Sequence, residues 1–281
     1  MAETAPHSTI FQKFLARLSD TSVFTIPAYH VTVVVAHPDE ETIACGGTLE
    51  RLKGAHVVVV TDGVTRRADE SAAYSFPASQ APEIVRWREL IAATELAGCP
   101  ASAVTGLAIA DRKAAEHLAA IARRIAELFH QAGTAIAITH AYEGADPDHD
   151  ATAFAVHQAA ALCRRKGQDI AILEMPFRGD AGAKPNGDVG IETIRIPLTA
   201  KQKVLKRRML ACFGAQHDAE TRGALEAEQF RVAPAYDFAE LPRGGHVSYG
   251  DEPCDLAPAR WCDLVASAQR RLSGDEALRR H

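Results

Sequence analysis

Val31-Thr-Val-Val-Val-Ala-His-Pro-Asp-Glu-Glu-Thr-Ile-Ala-Cys-Gly-Gly-Thr-Leu49 decides how the rest of this chain is read. Val31 to Val35 is a short β-branched apolar run, the pattern of a strand buried on both faces. It stops at His37-Pro-Asp. Small and apolar residues from Thr42 to Leu52 then predict a helix. A second apolar run, Ala55-His-Val-Val-Val-Val60, ends at Thr61-Asp-Gly63. Strand, helix, strand at this spacing is a βαβ unit with parallel strands.

Outward from this unit the alternation continues. Helices are predicted over Pro82–Leu96, Ala114–Phe129 and Ala151–Arg165, with strands over Val104–Ile109, Thr134–Thr139 and Asp169–Glu174. The expected fold is α/β, a Rossmann-like three-layer sandwich with a mostly parallel sheet. After about residue 176 the pattern loosens. Arg178–Gly190 reads as a loop, Ile191–Ile196 as a strand and Thr199–Phe213 as a basic helix. The last 70 residues read as a less regular extension. We expect one domain over 1–281, with a core at about 31–175 and an extension at about 176–281 that shapes the substrate pocket. Ile10, Phe11, Phe14, Leu15 and Leu18 predict an amphipathic N-terminal helix packed on the domain.

With 47% hydrophobic and 24% charged residues, the composition is globular rather than disordered. The net charge of −5 gives no sign of a nucleic-acid-binding surface. No apolar run approaches the ~20 residues of a membrane span, and the N-terminus lacks a secretory pattern. Six dispersed cysteines without a Cys-x-x-Cys pair predict free thiols and a cytoplasmic protein. Gly46-Gly47 is not a dinucleotide fingerprint, because the Gly-x-Gly-x-x-Gly spacing is absent; the two glycines are expected to let the helix approach the sheet.

Two polar clusters follow strand ends, where open α/β sheets bind ligands. One is His37-Pro-Asp-Glu-Glu41; the other is Asp146-Pro-Asp-His149. If a helix begins near Glu40, His37 and Glu40 converge on one point and Asp39 lies beside it. His149 would be the third ligand. Two imidazoles, one carboxylate and an open position describe a catalytic zinc site. Asp148 would orient a ligand ring from behind. Each cluster alone also reads as a capped helix start or an acidic turn; together, at two strand ends, they favour a metal site.

The stretch from Val33 to Leu49 resembles the signature of the LmbE-like de-N-acetylase family, which includes N-acetylglucosaminyl-phosphatidylinositol de-N-acetylase. The family's first motif is Ala-His-Pro-Asp-Asp-Glu followed by a Gly-Gly helix, and its second is His-Pro-Asp-His. The resemblance covers roughly 31–173. It implies one divalent metal, Zn2+, held by His37, Glu40 and His149, with Asp39 as general base. Glu40 stands where the family has an aspartate ligand. Glu41 matches the final acid and is expected to support the helix start. Asp146 stands where the family has a catalytic histidine, so His140, Tyr142 and His217 are candidates for that role alongside it. Arg88-Glu89 resembles the family's Arg-Glu helix and Asp111 its sugar-binding acid, so Arg88, Asp111 and Tyr142 are expected to bind substrate. The implied activity is N-deacetylation of an amino-sugar conjugate, a small-molecule partner. Another N-acyl or thiol-sugar conjugate remains open, as does a non-catalytic sugar-binding homologue with a decayed site. A homo-oligomer is compatible with the sequence.

Overall fold

The computed structural model describes residues 9–66, 81–176, 193–214, 224–245, 247–248 and 256–274. The predicted loop at 178–190 lies outside these, as do residues 67–80, His217, His246 and Cys254. The strands are β1 (Ile26–Pro27), β2 (Val31–Val35), β3 (Leu52–Lys53), β4 (His56–Thr61), β5 (Val104–Ile109), β6 (Ile136–His140), β7 (Ala171–Met175), β8 (Thr193–Pro197) and β9 (Ala227–Val232). The helices of ten or more residues are α1 (Thr9–Ser19), α2 (Glu40–Leu49), α3 (Pro82–Leu96), α4 (Leu118–Ala132), α5 (Pro147–Arg164), α6 (Ala200–Leu210) and α7 (Pro258–Gly274).

Seven strands form one sheet in the order β5-β4-β2-β6-β7-β9-β8. The first five are mutually parallel, and β9 runs antiparallel to both its neighbours. Every residue of β2 is buried, because both faces of the sheet are covered. Val34, Val58 and Val60 pack with Phe129 of α4, Phe154 of α5 and Trp261 of α7. Val33, Val35, Val57 and Val59 pack with Phe11 of α1, Leu49 of α2, Leu90 of α3 and Met209 of α6. The result is a three-layer α/β sandwich, as the alternating pattern predicts.

The chain builds β4 and β5 on one side of β2, then crosses to build β6 and β7 on the other. The turns leaving β2 and β6 therefore splay apart at adjacent strand ends and open a crevice. These turns carry the two polar clusters.

Several boundaries differ from the sequence reading. Helix α5 begins at Pro147, four residues earlier than expected, because Asp146 caps it: Oδ1 accepts from the backbone N–H of Asp148 at 2.7 Å and of His149 at 3.2 Å. The second cluster is thus a helix start rather than a turn. The segment expected to be irregular contributes β9, in the interior of the sheet. In α1, Phe11, Phe14 and Leu18 are buried while Ile10 is 52% exposed.

Helix α2 is interrupted at Cys45 (φ −143°, ψ 21°). Glu228 of β9 takes the N–H groups of Gly47 and Thr48 at 2.8 and 2.7 Å, and Lys206 pairs with it at 2.7 Å, fully buried. A Cβ on Gly47 would lie 2.6 Å from Leu198 Cδ2, so the glycine allows close approach to the segment after β8. Lys206→Met should cost about 3 kcal/mol, because it leaves a buried carboxylate without its cation. Urea unfolding measures this; a loss under about 1 kcal/mol would show that the two backbone donors alone satisfy Glu228.

Among the described residues, no helix is long and apolar enough to cross a membrane. Cys45, Cys99, Cys163, Cys212 and Cys262 are free thiols.

Candidate metal centre

The turn after β2 places its residues by backbone geometry. Asp39 has φ 110° and ψ −24°, a conformation L-residues rarely adopt. It lets α2 start at Glu40 immediately after the strand, so that Glu40 turns back over His37. Glu41, fully buried, accepts the Asp39 N–H at 3.0 Å and the Thr42 hydroxyl at 2.6 Å. These contacts tie it to the start of α2. Burial pushes its carboxyl up to about 7 against the Thr42 hydrogen bond.

Three donors converge. Glu40 Oε1 lies 2.9 Å from His37 Nδ1 and also contacts His149 Nε2. One donor atom from each of these residues lies within 4.8 Å of the others, and the two rings are 5.5 Å apart at their centroids. The other edge of His37 faces carboxylates, with Nε2 at 3.1 Å from Asp111 Oδ1 and 3.3 Å from Asp148 Oδ2. In the neutral ring, donation from Nε2–H to these acids would leave the Nδ1 lone pair toward Glu40 and His149 for a bound cation. Asp148, fully buried, is itself held by the backbone N–H groups of Arg112 and Ala114 at 2.5 and 2.9 Å.

The electrostatics favour a cation here. Burial alone would raise Glu40, but the charges of His149, His37 and His140 hold it well below the usual carboxylate range. Burial opposes charge on His149, yet Glu40 and Asp146 push it up to about 9. His37 is likewise raised against its burial by Glu40, Asp111 and Asp148. Two imidazoles drawn toward the protonated state around one carboxylate occupy the place of positive charge that a divalent ion would fill. The donor set, nitrogen and oxygen in a 2:1 ratio, suits such an ion.

Beside the donors opens a polar cavity of about 200 Å³, lined by His37, Asp39, Glu40, Gly63, Thr65, Arg86, Asp111, Arg112 and Asp146. Asp39 faces it without joining the donor set. Arg86 Nη2 donates to Asp39 Oδ2 at 3.1 Å and to Pro38 O at 2.6 Å. Burial raises the Asp39 carboxyl, with the Arg86 charge opposing.

Four expected residues stand elsewhere or act otherwise. Arg88 points outward from α3; Arg86, two residues earlier, is the buried arginine that reaches the turn. Tyr142 is buried among Tyr236, Phe238 and Trp261, with its hydroxyl on Glu240 O, and it does not line the cavity. Asp146 lines the cavity but is committed as the α5 cap. His149 and His37 hold its carboxyl low against burial. His140 is 1% exposed and lies behind Glu40 and His149, outside the cavity. Asp111 does line it. Arg86, Arg112 and Thr65 are site residues that the sequence reading missed. For Arg86 the signal was present, since Leu90 and Ala93 share its helical face and Arg88 does not. For the other two, in loops, there was none.

Gly63 closes one wall at φ +60°, and a Cβ there would lie 2.5 Å from Pro38 Cδ. Gly63→Ala should destabilise the protein by about 1–3 kcal/mol, through strain at positive φ and displacement of the Pro38 turn. Thermal unfolding checks this; an unchanged Tm would show that the turn relaxes freely.

The chain is thus a doubly wound α/β protein with an imidazole–carboxylate cluster at its switch point. The family model described as PIG-L, GlcNAc-PI de-N-acetylase, matches residues 32–160. This stretch holds both polar clusters and is similar to the PIG-L (LmbE-like) family, which supports a hydrolase acting on amide bonds. No curated protein matches it. Among solved structures, the A40926 pseudoaglycone deacetylase Dbv21 is similar with a TM-score of 0.57 at 17% identity, over 74% of this chain and 99% of its own. The zinc-inhibited form of teicoplanin deacetylase Orf2 gives 0.55 at 13%, over 74% and 98%. N,N'-diacetylchitobiose deacetylase from Pyrococcus horikoshii gives 0.50 at 18%, over 83% and 95%. At these identities the likeness is one of fold.

Proposed function

We propose that this protein is a zinc-dependent N-deacetylase acting on the acetamide of an N-acetylglucosamine-type conjugate. The observation that carries this reading is the convergence of His37, Glu40 and His149 on one point, beside a cavity into which Asp39 faces. The family match over residues 32–160 and the fold likeness to deacetylases support the reaction type.

The residues fit a divalent ion, and His37, Glu40 and His149 would hold it. A bound ion there supplies Lewis acidity to the amide carbonyl and lowers the pKa of bound water toward about 7. The chain does the rest. Asp39 accepts the proton of the attacking water and returns it to the departing amine nitrogen. Arg86 fixes the Asp39 carboxylate by holding both Oδ2 and the Pro38 carbonyl. Asp111 and Arg112 offer an acceptor and a donor at the cavity wall for sugar hydroxyls, and the polar lining suits such a ligand. Asp146 is engaged as the α5 cap, so both transfers are assigned to Asp39. The two departures from the family motif leave the donor set whole. Glu40 reaches the common point despite its extra methylene, and Asp146 exchanges an imidazole for a helix cap. This weighs against a decayed site.

The test is acetate release from a panel of N-acyl glucosaminides by metal-replete protein and by chelator-treated protein. Zinc-dependent release from N-acetyl substrates is expected. Preference for longer acyl groups would move the assignment to another amidase. No amine release from any member, with metal bound, would overturn it.

A further inference from the structure

His140 is left over by this mechanism. It ends β6, is 1% exposed, and does not line the cavity. Yet it touches two of the three donors. Its ring stacks on His149 at 4.2 Å between centroids, with 8° between planes. Its Nε2 lies 3.0 Å from Glu40 Oε2 and 2.9 Å from the backbone nitrogen of Ala36, the residue that leads into His37. We infer that His140 is the positioning residue of the metal centre, locking the Glu40 carboxylate and the His149 ring in the orientations that face the ion. This rests on the metal-site reading above.

The physical need comes from Glu40. A glutamate ligand has one more rotatable bond than the family's aspartate, so its carboxylate must be held to bind well. Here Oε2 is held from two sides, by the His37 N–H at 2.7 Å and by the His140 ring. That leaves Oε1 for His37 Nδ1 and His149 Nε2. With its proton on Nε2 the ring donates to Glu40 Oε2, the tautomer this role requires. Stacking sets the plane of His149, whose backbone N–H is tied at the same time to the Asp146 cap. Residues of this kind, one contact behind the ligands, typically change metal affinity by about 10–100-fold when replaced.

The experiment uses the full chain with His140→Phe, which keeps a stacking ring and loses the nitrogen, and His140→Gln, which restores a polar group. Zinc affinity is measured by chelator competition, geometry by the visible spectrum of the Co2+-loaded protein, and turnover by kcat and KM. Phe should weaken zinc binding about 10–100-fold and shift the Co2+ spectrum, with KM little changed; Gln should recover much of the affinity. His140→Asn carries the same measurement if Phe does not fold. A folded Phe or Asn variant with wild-type affinity and spectrum would overturn the inference. So would a fall in kcat with both metal readouts unchanged, which would make His140 a participant in the chemistry. If the wild-type chain itself bound neither zinc nor Co2+, the metal-site reading would fall first and this inference with it.

Discussion

Asp39→Asn should lower kcat about a thousandfold or more while the protein keeps one metal ion per chain. General acid–base groups typically contribute about 10²–10⁴ in rate, and here one carboxylate is asked to carry both proton transfers. Asparagine is the informative replacement. It matches aspartate in shape, and its side-chain oxygen can still accept from Arg86. It also tolerates positive φ better than other residues, so the strained turn at φ 110° survives the change. What it cannot do is take a proton from water. Metal content, circular dichroism and kcat, measured on the same preparation, separate the outcomes. Parallel loss of metal and activity would make Asp39 a ligand and return the role of base to another group.

His149→Ala should abolish activity and weaken zinc binding at least a hundredfold. Loss of one of three protein ligands removes a direct bond, and metal affinity at such sites depends on ligand count and type. It also strips Glu40 of one of its two contacts at Oε1 and His140 of its stacking partner. The Asp146 cap is not affected, because it binds the backbone N–H of residue 149 and not the ring. The fold should therefore persist, with Tm close to that of the metal-free wild type. Chelator competition reads the affinity. Retention of full affinity would take His149 out of the donor set and leave His37 and Glu40 too few to hold the ion.

The two clusters were legible because each follows a buried apolar strand, and strand ends are where such sheets bind ligands. Val31–Val35 and the switch in strand order between β2 and β6 set His37 and His149 beyond adjacent strand ends before any side-chain detail is known. The start of α5 was also legible in principle: Asp146 followed by Pro147 is a cap and a first helical position. Its acidic, proline-containing look suggested a turn instead. β9 was hidden because Glu228 and Arg231 break its apolar pattern. Both are buried, and their charges are met by Lys206 and Glu174 from elsewhere in the chain. Tyr142 could not have been placed from the sequence. It sits one strand end from the centre, but Tyr236, Phe238 and Trp261, roughly a hundred residues on, draw its ring into their own cluster. Arg112 reaches the cavity from a loop at φ 63°, and no periodicity announces it.

The most direct measurement is anomalous X-ray diffraction from zinc-soaked crystals, with data on both sides of the zinc edge. One strong peak about 2.0–2.2 Å from His37, Glu40 and His149, with an open coordination position on the cavity side, is the expected result. A peak bound by other residues, or none at this triad despite zinc retained in solution, would contradict it.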